Sequence, residues 1–151
     1  MEDNVKILPP EAAMERILAV MEAGAAAPLV ISGWSMSPFL VHGRDTVYLT
    51  PPPETLKKGD MILYRRDSGM YVLHRICAVE GNTFTLIGDG QQEKEQGVRK
   101  DQVLALVTAV RRKGKLLKKG SFWWDFFEKI WLNMIPLRPA ALKLYALLKK
   151  R

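Results

Sequence analysis

The chain has 151 residues, 48% hydrophobic and 26% charged, a balance that fits one domain with a real core and excludes a disordered or multi-pass membrane protein. Its net charge of +7 is uneven: residues 111–151 carry 12 Lys/Arg against only Asp125 and Glu128, whereas residues 1–110 are slightly acidic. The basic character therefore belongs to the tail, which asks for an anionic partner, either phospholipid or nucleic acid.

The opening MEDNVKILPP is acidic and broken by Pro9 and Pro10. It fits neither a secretory signal nor a transit peptide, so a cytoplasmic protein is expected. Pro10 leads into EAAMERILAVMEAG, where Met14, Ile17, Leu18 and Met21 repeat at helical spacing and Gly24 supplies a stop; a short amphipathic helix is predicted. The longest uncharged window, residues 23–43, is interrupted by Gly24, Pro28, Gly33 and Pro38. It falls short of the ~20 clean residues of a spanning helix.

From residue 28 the apolar period becomes that of strands, predicted at 29–31, 46–49, 61–64, 71–79, 83–87 and 103–110. Turn chemistry separates them at Pro51-Pro52-Pro53, Lys58-Gly59-Asp60, Asp67-Ser68-Gly69, Gly81-Asn82 and Lys113-Gly114. Such spacing favours a mainly β fold, a compact antiparallel barrel or coiled sheet, over alternating β/α units. Cys77, the only cysteine, excludes an intrachain disulfide and a cysteine-built metal site, and its setting Ile76-Cys77-Ala78-Val79 assigns it to the core. No cofactor or metal is implied. After Gly120 two helices are expected. The first is aromatic, with Ser121 as its cap; the second carries Ala141, Leu144, Tyr145 and Leu148 on one stripe and ends in Lys149-Lys150-Arg151. The organisation reads as an N-terminal helical segment (1–27), a β domain (28–118) and a basic aromatic tail (119–151).

A hydroxyl nucleophile needs an exposed loop, nearby backbone N–H groups for an oxyanion, and a base. Ser32-Gly33-Trp34-Ser35-Met36-Ser37-Pro38 offers the first two, with Gly33 for close backbone approach, although serine is also an ordinary turn former. Of the two histidines, His74 alternates onto the face of Val72 and Ile76, as either a satisfied core residue or a base; His42, beside Gly43-Arg44, reads as a solvated turn residue. Asp89, in Ile87-Gly88-Asp89-Gly90, is either a turn residue or the acid that orients the imidazole, while Asp45 and Asp60 read as turn formers.

The ordered set Gly33-Trp34-Ser35-Met36-Ser37-Pro38, Gly43-Arg44-Asp45, Lys58-Gly59-Asp60-Met61, His74-Arg75-Ile76 and Gly88-Asp89 resembles the type I signal peptidases and LexA-type autoproteases. It spans residues 29–110, and histidine before Arg-Ile is similar to the endoplasmic-reticulum variant. The resemblance implies a partly open, coiled antiparallel β barrel. It also implies a serine peptidase with Ser35 as nucleophile, His74 as general base and Asp89 as third member, acting on an exposed peptide or protein segment after small residues. Gly33 stands where many bacterial relatives have a serine donor, so the oxyanion would rest on backbone N–H groups. A histidine base makes activity rise with pH through the ordinary histidine range, near ~6.5.

A non-catalytic regulatory or binding protein on the same fold is the alternative. The stretch before Pro28 is too short for a helix-turn-helix unit, and the tail aromatics are clustered rather than interleaved with Lys/Arg, so no specific nucleic acid is expected. Residues 121–151 either lie on an anionic membrane as a peripheral contact or pack on the domain.

Overall fold

The computed structural model describes residues 11–149. The opening ten residues, read above as neither signal nor transit peptide, and the closing Lys150-Arg151 lie outside the described residues. Helix α1 (Glu11–Glu22) buries Met14, Ile17 and Met21 but leaves Leu18 exposed on its flank, and its end is closed by Gly24 N–H bonding Met21 O at 2.9 Å. Eight strands follow among the described residues: β1 (Ala27–Val30), β2 (Thr46–Thr50), β3 (Met61–Arg65), β4 (Tyr71–Glu80), β5 (Thr83–Ile87), β6 (Glu95–Arg99), β7 (Val103–Arg112) and β8 (Lys115–Leu117). Six occupy the predicted positions. The other two, β6 and β8, have little alternation to read: β6 buries only Val98, and β8 is three residues long.

Every strand pair is antiparallel, and the open sheet runs β1-β2-β7-β3-β4-β5-β6 with β8 on β7. Central β3 is apolar without interruption from Met61 to Tyr64 because both of its faces are covered. Met61 and Leu63 join a cluster with α1 and with Trp124, Phe127 and Trp131 of the tail; Ile62 and Tyr64 join another with Val72, Ile76, Phe84 and Leu86. The three segments distinguished in the sequence thus contribute to shared packing.

The tail does not form the expected pair of helices. One turn of helix α2 (Phe122–Asp125) passes into a π-helical turn over Phe126–Ile130 and a 3-10 stretch over Trp131–Leu137, followed by helix α3 (Arg138–Lys149). Pro136 lacks the amide hydrogen that α-helical bonding uses, and Met134 leaves helical geometry at φ −110°, ψ 27°. Ser121 is not a side-chain cap; its hydroxyl accepts from Lys118 N–H at 3.2 Å. Trp124, Phe127, Trp131 and Leu132 are buried on the domain, whereas every described residue after Leu142 is exposed. No helix among the described residues is long and apolar enough to cross a membrane.

Candidate active site

The loop carrying Ser35 leaves β1 and returns to β2. Its base is closed by Ile31 N–H to Asp45 O (2.8 Å) and Gly43 N–H to Ile31 O (2.9 Å). Asp45 acts as the expected turn former: its buried carboxylate accepts from the Val41 and Lys113 N–H groups and pairs with Arg44. Gly33 sits at φ +86°, the left-handed region that favours glycine, and an added Cβ would meet nothing within 4 Å. The glycine serves backbone conformation here, not the close approach anticipated from sequence. Its N–H donates to His42 Nδ1 at 2.8 Å, and His42 stacks on Trp34 with centroids 5.4 Å apart. His42 is therefore a half-buried brace for the serine loop rather than a solvated turn residue. Ser37 N–H bonds Trp34 O at 3.1 Å, closing a turn around Ser35.

Close approach occurs on the other side of that turn. Gly90 N–H donates to Ser35 O at 2.8 Å. A Cβ on Gly88 would come 2.4 Å from Ser35 O, and one on Gly90 would come 2.4 Å from Ser37 O. Only glycine at both positions lets the 88–91 turn lie against the serine loop, so the Gly-Asp-Gly sequence is a backbone interface.

His74 lies on β4 opposite Ile62 of β3, on the face of Val72 and Ile76 as expected. Tyr64, two residues beyond Ile62, is its diagonal cross-strand neighbour, and the phenol oxygen lies 3.4 Å from His74 Nδ1. Tyr64 donates its single proton to Glu95 Oε1 at 2.6 Å, and Glu95 is held by Arg66 Nη2 at 2.9 Å. With its hydrogen given to Glu95, the phenol oxygen is free to accept from Nδ1–H, which leaves Nε2 unprotonated. Burial, helped by the nearby Arg66 charge and opposed by Glu95 and Asp89, pushes the His74 pKa down to about 4. Burial likewise pushes the Tyr64 phenol up, with the hydrogen bond to Glu95 adding to it. For Glu95, burial would raise the carboxyl, but the hydrogen bonds from Arg66 and Tyr64 win and hold it below the usual carboxylate range.

Asp89, expected as the third member, is engaged elsewhere. Its two carboxylate oxygens accept from Arg75 Nε and Nη2, both at 2.9 Å, in a fully buried bidentate pair. Successive side chains on a strand point to opposite faces, so Arg75 and His74 leave β4 on opposite sides. Tyr64, backed by Glu95, is the group that meets Nδ1. Neither was legible as a site residue: Tyr64 enters through strand register, and Glu95 stands in the charged run Glu93-Lys94-Glu95, which resembles a solvated surface.

Ser35 and His74 line one cavity of about 230 Å³ between residues 29–36 and 70–74, with Arg66 and Gln91 also on its wall. Two open backbone edges border it. Among the described residues, β1 pairs only with β2, and β5 pairs with β4 only from Arg75 onward, so residues 71–74 have no described strand on that side. No family model, curated protein or solved structure matches this chain.

Proposed function

We propose that the chain is a serine endopeptidase of signal peptidase-like type, on the partly open barrel that the sequence resemblance implies. The observation that carries this reading is the shared cavity: Ser35 and a histidine whose Nδ1 faces a Tyr64–Glu95 relay line the same cleft. Ser35 Oγ attacks the carbonyl carbon of the scissile peptide while His74 Nε2 takes the hydroxyl proton. The tetrahedral intermediate expels the amine, which leaves with that proton, and an acyl ester remains on Ser35. Water then adds with His74 again as base, releasing the carboxylic product and restoring the hydroxyl. The two open edges suit an extended segment that adds as a strand, with apolar Ile31, Met36 and Tyr71 beside it. The resemblance places small residues before the cut.

The distal part of α3 supports a membrane partner. Leu144, Tyr145, Leu147 and Leu148 are all exposed and fall toward one side at 3.6 residues per turn, flanked by Lys143 and Lys149. This surface suits peripheral contact with anionic lipid, whether the protein is a peptidase or a non-catalytic protein on the same fold.

Labelling with a fluorophosphonate, followed by peptide mapping, tests the peptidase reading. Modification of Ser35 in the wild type and none in Ser35→Ala is expected. A wild type that stays unmodified while folded removes the enzyme and leaves the binding protein.

A further inference from the structure

The tail contributes more than packing. Trp131, buried beneath the 88–91 turn, donates its indole N–H to Asp89 O at 2.7 Å. Arg138, the first residue of α3 and fully buried, donates through Nη1 to Gly88 O at 2.9 Å and to Gln91 O at 2.7 Å. Its guanidinium lies over the Trp131 ring, 5.4 Å from the centroid, and Nη2 reaches Trp131 O at 3.4 Å. Three carbonyls of one turn are therefore held by donors some forty or more residues downstream. Arg75 holds the Asp89 side chain from the sheet, and Gln91 Oε1 accepts from Gly88 N–H at 3.1 Å.

The opposite side of the same turn meets the serine loop. Gly90 N–H grips Ser35 O, and the glycines at 88 and 90 bring backbone against Ser35 and Ser37 with no room for a methyl group. A turn fitted this closely cannot shift toward the loop without collision, nor away without breaking the bond to Ser35. A buried guanidinium is costly to desolvate, and a packing role alone would be met by an apolar side chain of similar volume. What Arg138 adds is direction, since its two Nη1 hydrogen bonds are charge-assisted and converge on this one backbone segment.

We infer that Trp131 and Arg138 are positioning residues for the Ser35 nucleophile, acting through the 88–91 turn. The inference rests on the peptidase reading for its catalytic consequence but not for its structural one. The two are separated by following acylation kinetics and amide exchange on the full-length protein. Wild type, Trp131→Phe and Arg138→Met are treated with the fluorophosphonate to obtain kinact and KI, and Gly90 amide exchange is followed by NMR on the same samples. Trp131→Phe keeps one aromatic ring and loses the donor together with the rest of the indole; it should lower kinact by at least about 5-fold, the equivalent of one ordinary hydrogen bond. Arg138→Met should lower it by ~10²-fold, as a small misplacement of a reacting group does. In both, KI and the pH profile stay as in wild type, because the Tyr64–Glu95 relay that holds His74 is untouched, and Gly90 exchanges faster while the Leu63 amide of central β3 does not. If Arg138→Met fails to fold, Trp131→Phe decides alone. A folded Trp131→Phe with wild-type kinact and wild-type Gly90 exchange overturns the inference. If the wild type itself is not acylated, the peptidase reading falls, and Gly90 exchange still decides whether Trp131 and Arg138 hold the serine loop.

Discussion

Replacing Tyr64 with phenylalanine isolates the relay behind His74. The ring stays in its apolar cluster, and only the hydroxyl between His74 Nδ1 and Glu95 is lost. Glu95 keeps its bonds to Arg66, but one of its oxygens loses a 2.6 Å donor, and the buried Nδ1–H loses its acceptor. One buried polar group left unpaired costs ~1 to 3 kcal/mol, so the variant should unfold at a lower temperature yet remain folded at 25 °C. The effect on chemistry has a different origin. General-base assistance is typically worth ~10² to 10⁴-fold, and a neutral imidazole without a partner at Nδ1 no longer keeps its proton there. Part of the population then carries hydrogen on Nε2, the nitrogen required as base, and loss of orientation adds to this. A fall of about 10 to 10²-fold in kinact is expected, with KI unchanged. Fluorophosphonate kinetics measure the rate, and ¹⁵N spectra of the imidazole report which nitrogen bears the proton. A folded Tyr64→Phe that acylates like wild type, or a wild-type spectrum with the proton on Nε2, refutes the relay.

The remaining expectations concern pH, the buried ion pair and the tail. With the His74 pKa pushed down to about 4, the base is neutral above that value, so kcat/KM should rise with pH through about 4 and be flat from pH 6 to 8, not rise near ~6.5. Stability follows the same sign: between pH ~6.5 and about 4 the unfolded histidine holds more protons than the folded one, so unfolding midpoints should fall as pH drops across that window, and less so in His74→Asn. Asp89→Ala strands Arg75 without its bidentate partner and should cost ~3 to 5 kcal/mol in denaturant unfolding, whereas an Asp89 that served catalysis alone would leave stability unchanged. Truncation after Leu142 removes only residues that are exposed wherever described, and should preserve the fold and Ser35 labelling while abolishing flotation with anionic vesicles. Full-length binding should weaken in high salt, since each Lys/Arg near the surface is worth only ~1 kcal/mol and is screened. A full-length chain that never floats refutes the membrane contact.

The same residues show why some features were legible in advance. Apolar spacing in α1 and in the strands around β3 and β4 is repeated along the chain, and each repeat reports burial of one face, so those elements could be read locally. Ser35 and His74 stood out because few residue types can act as nucleophile or base near neutral pH. Asp89 was recognisable as important, but its local sequence could not reveal whether its carboxylate would meet His74 or Arg75. That depends on strand pleating and on what packs against the opposite face.

By itself the sequence determined the mainly β character, the position of six strands and of α1, and the basic tail, and it singled out Ser35 and His74 as the candidates for acyl transfer. Only the tertiary structure decided that Tyr64 and Glu95 stand behind His74, that His42 braces the serine loop, and that Trp124, Phe127 and Trp131 belong to the core while the end of α3 does not. The physical reason lies in range. Periodicity and turn chemistry act between neighbours a few residues apart, whereas Glu95 reaches Tyr64 across 31 positions and Arg138 reaches Gly88 across 50. Contacts of that span are fixed by register and packing, which no local pattern encodes.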